Sequence, residues 1–391
     1  MKIVYLAARQ PYPAIKGDQT ITYNQIKELS KKHEVFLITF CEHSEDELIK
    51  EMNKYCSGVT IFRDTRLKKF IATMKTLYNF KSIQANCFYR YSTSTKINKI
   101  IDEVSPDVVH AQSFRMAEYM MNSRYNKSIE MIDAYSLNMD KREKRTKSPL
   151  RLLWKVENNL LVKYEKKIIK NYKVKTIVAQ RDKDYLDDES IVVNPIGISV
   201  DNTILNETRA SRKKEHINVV FQGNMSYYPN IDAAEYLVLN ILPKLRKKYN
   251  LKLYIVGGNP SKRVLDLKSE DIIVTGYVNN LENYLGKADI AIYPIESATG
   301  IQNKVLEAMA SGVPTVISKA CAEGIPGVKN LHNTLIANSE DEYMQHFTEI
   351  IGNQCLREKI SNNALELIEH EYSWKRNVEL LEKVWKKEFK W

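Results

Sequence analysis

The stretch Ala288–Gly312, ADIAIYPIESATGIQNKVLEAMASG, reads as a short covered strand, a loop and an amphipathic helix. ADIAIYP is the brief apolar run of a parallel strand buried on both faces, and Pro294 ends its ladder. A strand of this kind feeding a helix is the unit of an α/β fold. Ser297, Thr299 and Gly300 are small or capping residues ahead of a helical run from Ile301. The first backbone N–H groups of that helix lack intrahelical acceptors and can receive oxyanions. Ile301, Val305, Leu306, Met309 and Val313 form the apolar stripe, while Gly300, Lys304, Glu307 and Ser311 recur on another face. A cation one turn inside a positive helix end suits a diphosphate, and a carboxylate one turn further suits sugar or ribose hydroxyls. The same spacing also describes a surface Lys–Glu pair on an ordinary amphipathic helix.

The text GIQNKVLEAMASGVPTV resembles the donor-site segment of family 4 glycosyltransferases of the GT-B fold, in particular bacterial envelope sugar transferases that carry GIQNKVLEAMA. The resemblance implies two Rossmann-like doubly wound domains facing a central cleft, with a C-terminal helix crossing back to the first. On the sequence these fall at 1–205 (acceptor side), 206–371 (nucleotide-sugar side) and 372–391 (the crossover helix, entered at EYSW). Carried over residue by residue, the donor side comprises Gly223, Asn224, Gly276, Tyr277, Thr299, Gly300, Ile301, Gln302, Lys304 and Glu307. Many members carry two glutamates eight positions apart. Glu307 matches the second, which by analogy binds ribose, and the first falls at Thr299, which has no carboxylate. Many members also place Arg and Lys after the first strand of this domain, where Asn224 and Asn230 stand here, so Lys304 carries more of the phosphate charge.

A chain of 391 residues exceeds one ordinary domain, and 43% hydrophobic with 27% charged residues is a globular composition. No stretch approaches the roughly 18 apolar residues of a membrane span. MKIVYLAA is followed at once by Arg9 and reads as a first strand rather than a leader, which gives a cytoplasmic expectation. The five cysteines show no C-x-x-C spacing and the seven histidines no H-E-x-x-H, so neither a disulfide framework nor a protein-held metal is expected. No cofactor is expected beyond the nucleoside diphosphate sugar itself. Residues 1–200 hold 35 Lys and Arg against 24 Asp and Glu, whereas 201–391 hold 24 against 24, so the whole +11 lies in the first half. Lys141–Lys175 contributes 13 basic and 3 acidic residues, with Leu152, Leu153, Val156, Leu160, Leu161, Tyr164 and Ile168 at helical spacing. Such a helix packs on a core, lies on an anionic membrane surface, or binds nucleic acid, the last being the least expected.

The opening strand, loop, helix and strand make a βαβ unit whose loop lacks G-x-G-x-x-G, which argues against a dehydrogenase. Its PYP…KGD loop resembles the acceptor-side glycine loop of the same transferases, implying that Gly17 and Asp18 approach the bound sugar. Residues at the carboxyl ends of parallel strands line the ligand crevice, which nominates His110 and Gln112 after DVVHA and Asp133 and Ser136 after the expected strand Ile129–Ala134. Asp133 is the catalytic candidate, as a carboxylate that takes a bond or a proton from a sugar hydroxyl; a helix-capping aspartate is the competing reading. Asp182 and Asp184 form a D-x-D, but Arg181 and Lys183 flank them at a helix start. The expected function is transfer of a sugar, with retention and without a required metal, to a lipid-linked or other saccharide in envelope or capsule assembly. A peripheral site on the inner face of the membrane follows from the charge. A non-catalytic GT-B subunit and a nucleotide-sugar epimerase are the alternatives.

Overall fold

Thirteen short runs rich in Val, Ile, Leu and aromatic residues form two parallel sheets in the computed structural model, which describes residues 1–14, 16–41, 46–74, 76, 81–145, 148–210, 215–297 and 300–391. The first sheet is built from β1 (Lys2–Ala7), β2 (Glu34–Cys41), β3 (Gly58–Arg63), β4 (Val108–Gln112), β5 (Lys127–Glu130), β6 (Val174–Ile177) and β7 (Ile191–Val193), in the order β3-β2-β1-β4-β5-β6-β7. The second comprises β8 (Ile217–Gln222), β9 (Leu251–Val256), β10 (Ile272–Val274), β11 (Ile290–Tyr293), β12 (Thr315–Ser318) and β13 (Leu335–Ala337), in the order β10-β9-β8-β11-β12-β13. The innermost strands β1, β4, β8 and β11 are almost wholly buried, as strands covered by helices on both faces must be.

The chain divides into one unit of Met1–Gly197 with Trp374–Trp391 and a second of Ile198–Ser373. The expected junction at 205/206 falls inside the helix Asn202–Ala210, whose Leu205 is buried in the second unit's core. The junction at Gly197 has a local cause. A side chain there would come within 2.5 Å of the Trp374 ring and backbone, so only glycine lets the two segments meet.

The C-terminal helix Trp374–Phe389 is part of the first unit. Val378, Leu381 and Trp385 pack with Ile3, Tyr5, Ile26 and Leu29, and burying each of the aliphatic side chains contributes roughly 1.5–3 kcal/mol. A polar chain fixes its register. The Tyr5 hydroxyl donates to Gln25 Oε1 at 2.5 Å, Gln25 Nε2 donates to both oxygens of Glu130 at 3.2 Å and to Asn377 Oδ1 at 2.9 Å, and Asn377 Nδ2 donates to the Pro195 carbonyl at 2.7 Å. Burial lifts the Glu130 carboxyl to about 7.

Strand β5 is shorter than the expected Ile129–Ala134. Ile132 takes φ +68°, a left-handed turn that a β-branched residue rarely adopts, and the ladder ends before it. The expected single basic segment 141–175 is also divided, into the helices Tyr135–Arg145 and Leu150–Asn171 with Pro149 ahead of the second.

Candidate functional site

In an open parallel sheet a crevice forms at the carboxyl ends of the strands where the order reverses. In the second unit that point lies between β8 and β11. There the helix Asn303–Ala310 buries Val305, Leu306 and Met309 and turns Lys304 and Glu307 toward the end of β8. It begins two residues after the expected Ile301, with half-buried Ile301 against the core and Gln302 at the N-cap. Gln302 Nε2 donates to the Gly300 carbonyl at 3.1 Å. Gly300 has φ +68° with open space around its Cα, so glycine serves the backbone conformation there and not the packing. Its carbonyl sits against Gly324, where a side chain would come within 2.4 Å. Thr299 lies outside the described residues.

Gln222, the last residue of β8, ties these parts together. Its Nε2 donates to the Lys304 carbonyl at 3.1 Å and to Glu307 Oε2 at 3.2 Å. The Tyr293 hydroxyl, at the end of β11, is shared between Gln222 Oε1 at 3.0 Å and the Lys304 carbonyl at 3.1 Å. Lys304 Nζ donates to Asn230 Oδ1, and Asn230 Nδ2 donates to the Asn224 carbonyl at 2.9 Å. Asn224 Oδ1 accepts from the backbone and hydroxyl of Ser226, so its side chain closes its own loop and its neighbour Asn230 meets the cation. A side chain on Gly223 would lie 2.8 Å from Asn230 Nδ2, and one on Gly257 would lie 1.7 Å from the Gly223 carbonyl. The glycines therefore let the loops after β8 and β9 close on the cation. At the end of β10, the Gly276 carbonyl accepts from Gly257 N at 3.2 Å, and Tyr277 stands 78% exposed beside Gly258.

The electrostatics follow from partial desolvation. Burial pushes the Lys304 ammonium down to about 8, and burial lifts the Glu307 carboxyl against the opposing Gln222 hydrogen bond. A half-buried cation whose hydrogen-bond partner is neutral retains its full attraction for an incoming anion.

In the first unit the order reverses between β1 and β4. Gly17 opens the helix Gly17–Leu29, with nothing within 4 Å of where its side chain would lie. Asp18 pairs with Arg9 at 2.8 Å, and its carbonyl accepts from Gln112 Nε2 at 2.8 Å. Asp133 follows the left-handed turn after β5. Burial and the Asp182 carboxylate raise its pKa, and Arg181 opposes them. Ser136 is buried, with its backbone N–H and hydroxyl both donated to Glu165. His110 does not join this edge. It lies mid-strand with no exposure, its Nδ1 2.8 Å from Ser128 Oγ and its ring between Tyr5 and Trp385, and burial pushes its pKa down to about 3. It is a neutral core histidine. Asp182 is buried beside Arg181, while Asp184 accepts from Gln180 Nε2 at 2.7 Å, so the D-x-D does not converge. No cluster of three His, Cys, Asp or Glu suited to a metal occurs among the described residues.

Residues 216–353 match the family model described as Glycosyl transferases group 1. The matched residues lie within the second unit. No curated protein sequence matches the chain. Solved structures do. Sucrose-phosphate synthase from Thermosynechococcus elongatus aligns at 12% identity with TM-score 0.63, over 100% of this chain and 99% of that one. HepE from Anabaena, in complex with UDP and glucose, aligns at 12% identity with TM-score 0.64, over 98% of each chain. The lipopolysaccharide outer core galactosyltransferase WaaB aligns at 14% identity with TM-score 0.60, over 99% of this chain and 100% of that one. The fold is therefore GT-B, two Rossmann-like sheets of seven and six strands, and the family matched by residues 216–353 is one of glycosyltransferases.

The Lys304 geometry sets a pH test. Below about pH 8 the ammonium is charged and attracts a diphosphate; above it the free site loses that charge. Affinity for UDP, followed by calorimetry, is expected to fall as pH rises through 8. Lys304→Ala should weaken it about tenfold to a hundredfold, the worth of a hydrogen bond to a charged group, and abolish the pH dependence. Glu307→Ala should weaken the UDP-sugar by a similar factor.

Proposed function

We propose that the protein transfers a sugar from a nucleoside diphosphate sugar, bound at the β8–β11 crossover, to a saccharide acceptor received at the carboxyl edge of the first sheet. The observation that carries this reading is the Gln222–Tyr293–Lys304–Glu307 cluster, which turns a half-buried cation and a carboxylate toward the loops after β8. The helix start and Lys304 supply fixed positive charge where the departing diphosphate gains negative charge, so the bond to the sugar breaks without solvent having to reorganise. Glu307 accepts from ribose hydroxyls, and Gly276 and Tyr277 flank the base. Asp133, with its carboxyl pKa raised by burial, takes the proton of the accepting hydroxyl. The reaction retains configuration, as the family 4 resemblance implies. Lys304 does the work of a cation at the diphosphate, and this reading needs no divalent ion. Turnover of a UDP-sugar by the full chain, measured as released UDP, is expected to survive excess chelator. Complete loss on chelation, restored by magnesium or manganese, would contradict it.

The acceptor in this reading is lipid-linked and belongs to envelope assembly, supported by the GIQNKVLEAMA text, by the fold shared with WaaB and by the surface of the first unit. That surface revises the expected apolar stripe. Leu161, Tyr164 and Ile168 of the helix Leu150–Asn171 are buried in the core, whereas Leu150, Leu152, Leu153 and Val156 are 44–70% exposed. Only the first half of the helix offers an apolar face, with exposed Arg151 and Lys155 among it and exposed Lys163, Lys166, Lys167 and Lys170 further along. No helix among the described residues is long and apolar enough to cross a membrane. The reading is a peripheral enzyme on an anionic cytoplasmic surface. Each basic residue near such a surface contributes about 1 kcal/mol, and salt screens it. The protein should co-sediment with anionic but not neutral vesicles and be released by high salt. Lys163, Lys166, Lys167 and Lys170 changed together to Glu should abolish sedimentation and leave UDP affinity unchanged. Equal sedimentation with both vesicle types, or none with either, would return the helix to an ordinary solvated face.

A further inference from the structure

Arg115 lies three residues beyond β4, at the carboxyl edge where the first sheet reverses, and the transfer reading above gives it no task. Ser113 has φ +78° and turns the chain there, while its N–H donates to the Glu130 carbonyl at 2.8 Å. The Arg115 guanidinium then sits among three aromatic rings, 4.9 Å from the centroid of Phe88, 5.2 Å from Tyr135 and 5.8 Å from Phe114. Its Nη2 reaches Gln84 Oε1 at 3.4 Å, and its Nε is out of contact with solvent and has no hydrogen-bond partner. Among the described residues it makes no ion pair with a carboxylate. The surroundings are acceptor-side residues: burial raises the Tyr135 hydroxyl pKa, the Arg115 charge opposes it, and the Asp133 and Asp18 carboxylates add to it.

Aromatic faces hold a guanidinium in a fixed plane by its attraction to the ring quadrupole, and they do so without neutralising it. A partly buried, un-neutralised charge with an orphan N–H is costly to keep unless a ligand repays it. A planar fork of donors fits an oxyanion bidentately, and a neutral hydroxyl far less well. By contrast, the neighbouring Arg90 is paired to Asp64 and Arg9 to Asp18, as structural arginines ordinarily are.

We propose that Arg115 is a specificity-determining residue that recognises a negatively charged oxygen group, a phosphate or a carboxylate, on the acceptor saccharide. The acceptor is therefore an anionic sugar compound, and neutral glycans are poor substrates. This inference rests on the acceptor-side reading of the first sheet's edge.

The test uses the full chain with saturating UDP, so that the donor's phosphate seat is filled, and three probes: glucose 6-phosphate, methyl glucuronide and the neutral methyl glucoside. Binding is followed by saturation-transfer NMR. One of the two charged probes should bind in clear preference to methyl glucoside, the phosphate probe identifying a phosphorylated acceptor and the glucuronide an acidic sugar. Arg115→Gln should weaken that probe about tenfold or more. Arg115→Lys keeps the charge but loses the fork and should recover only part of the binding, with an unfolding midpoint matching the parent. Equal binding of charged and neutral probes, no binding of either charged probe, or charged-probe affinity unchanged in both variants would overturn the proposal. UDP affinity separates the two levels of inference: retained UDP binding with any of those results removes only the role of Arg115, whereas absent UDP binding removes the transferase reading beneath it.

Discussion

The carboxamide of Gln222 is the interaction on which the second unit's site depends. It closes a ring from the end of β8 to the hydroxyl of Tyr293 at the end of β11 and on to the carbonyl of Lys304 and the carboxylate of Glu307 in the helix. Two strands adjacent in the sheet but far apart in sequence thus set one helix start to within hydrogen-bonding tolerance. Without that amide the Glu307 carboxylate would lose a buried donor, at a cost of about 1–3 kcal/mol, while the Tyr293 hydroxyl would keep the Lys304 carbonyl as its acceptor. These hydrogen bonds are in place without a ligand, which is the condition for electrostatic stabilisation of a departing diphosphate.

In the first unit the buried carboxylates Glu157, Glu165 and Glu130 are each held by hydrogen-bond donors. Glu157 accepts from the Ser82 hydroxyl and from the backbone N–H groups of Ile83 and Gln84 at the start of the helix Ile83–Phe88, and Glu165 does the same for Ser136. Glu130 is held by Gln25, which also binds Asn377 of the C-terminal helix. Against that background Arg115 stands out, since rings surround it and, among the described residues, no carboxylate pairs with it.

Much of the fold was legible because covered parallel strands have an unambiguous signature: IAIY, VVFQ and LKLYIV are apolar, short and punctuated by glycine or proline. The short strand β7 was legible for the same reason. The end of β5 was not, because IEMIDA has the composition of a strand and the left-handed turn at Ile132 is imposed by tertiary packing. Lys304 and Glu307 were readable from helical spacing, and Gly300 from the loop chemistry ahead of it. Gln222 and Tyr293 were not, since a terminal strand glutamine and a buried strand tyrosine carry no pattern, and their meaning lies in a long-range contact. His110 was nominated by its nearness to a strand end; the two-residue alternation of the strand sends its ring into the core beneath Trp385. The basic helix misled in part, because helical spacing cannot say which turns of a long stripe meet the core.

The central claim is that a nucleoside diphosphate seats on the loop after β8 and the start of the helix Asn303–Ala310. Backbone hydrogen exchange of the full chain, with and without saturating UDP, tests it most directly, because phosphate oxygens on those N–H groups slow their exchange. The account predicts that protection on UDP binding is greatest in peptides covering 222–230 and 300–307. Protection confined to other segments, or none at all, would contradict it.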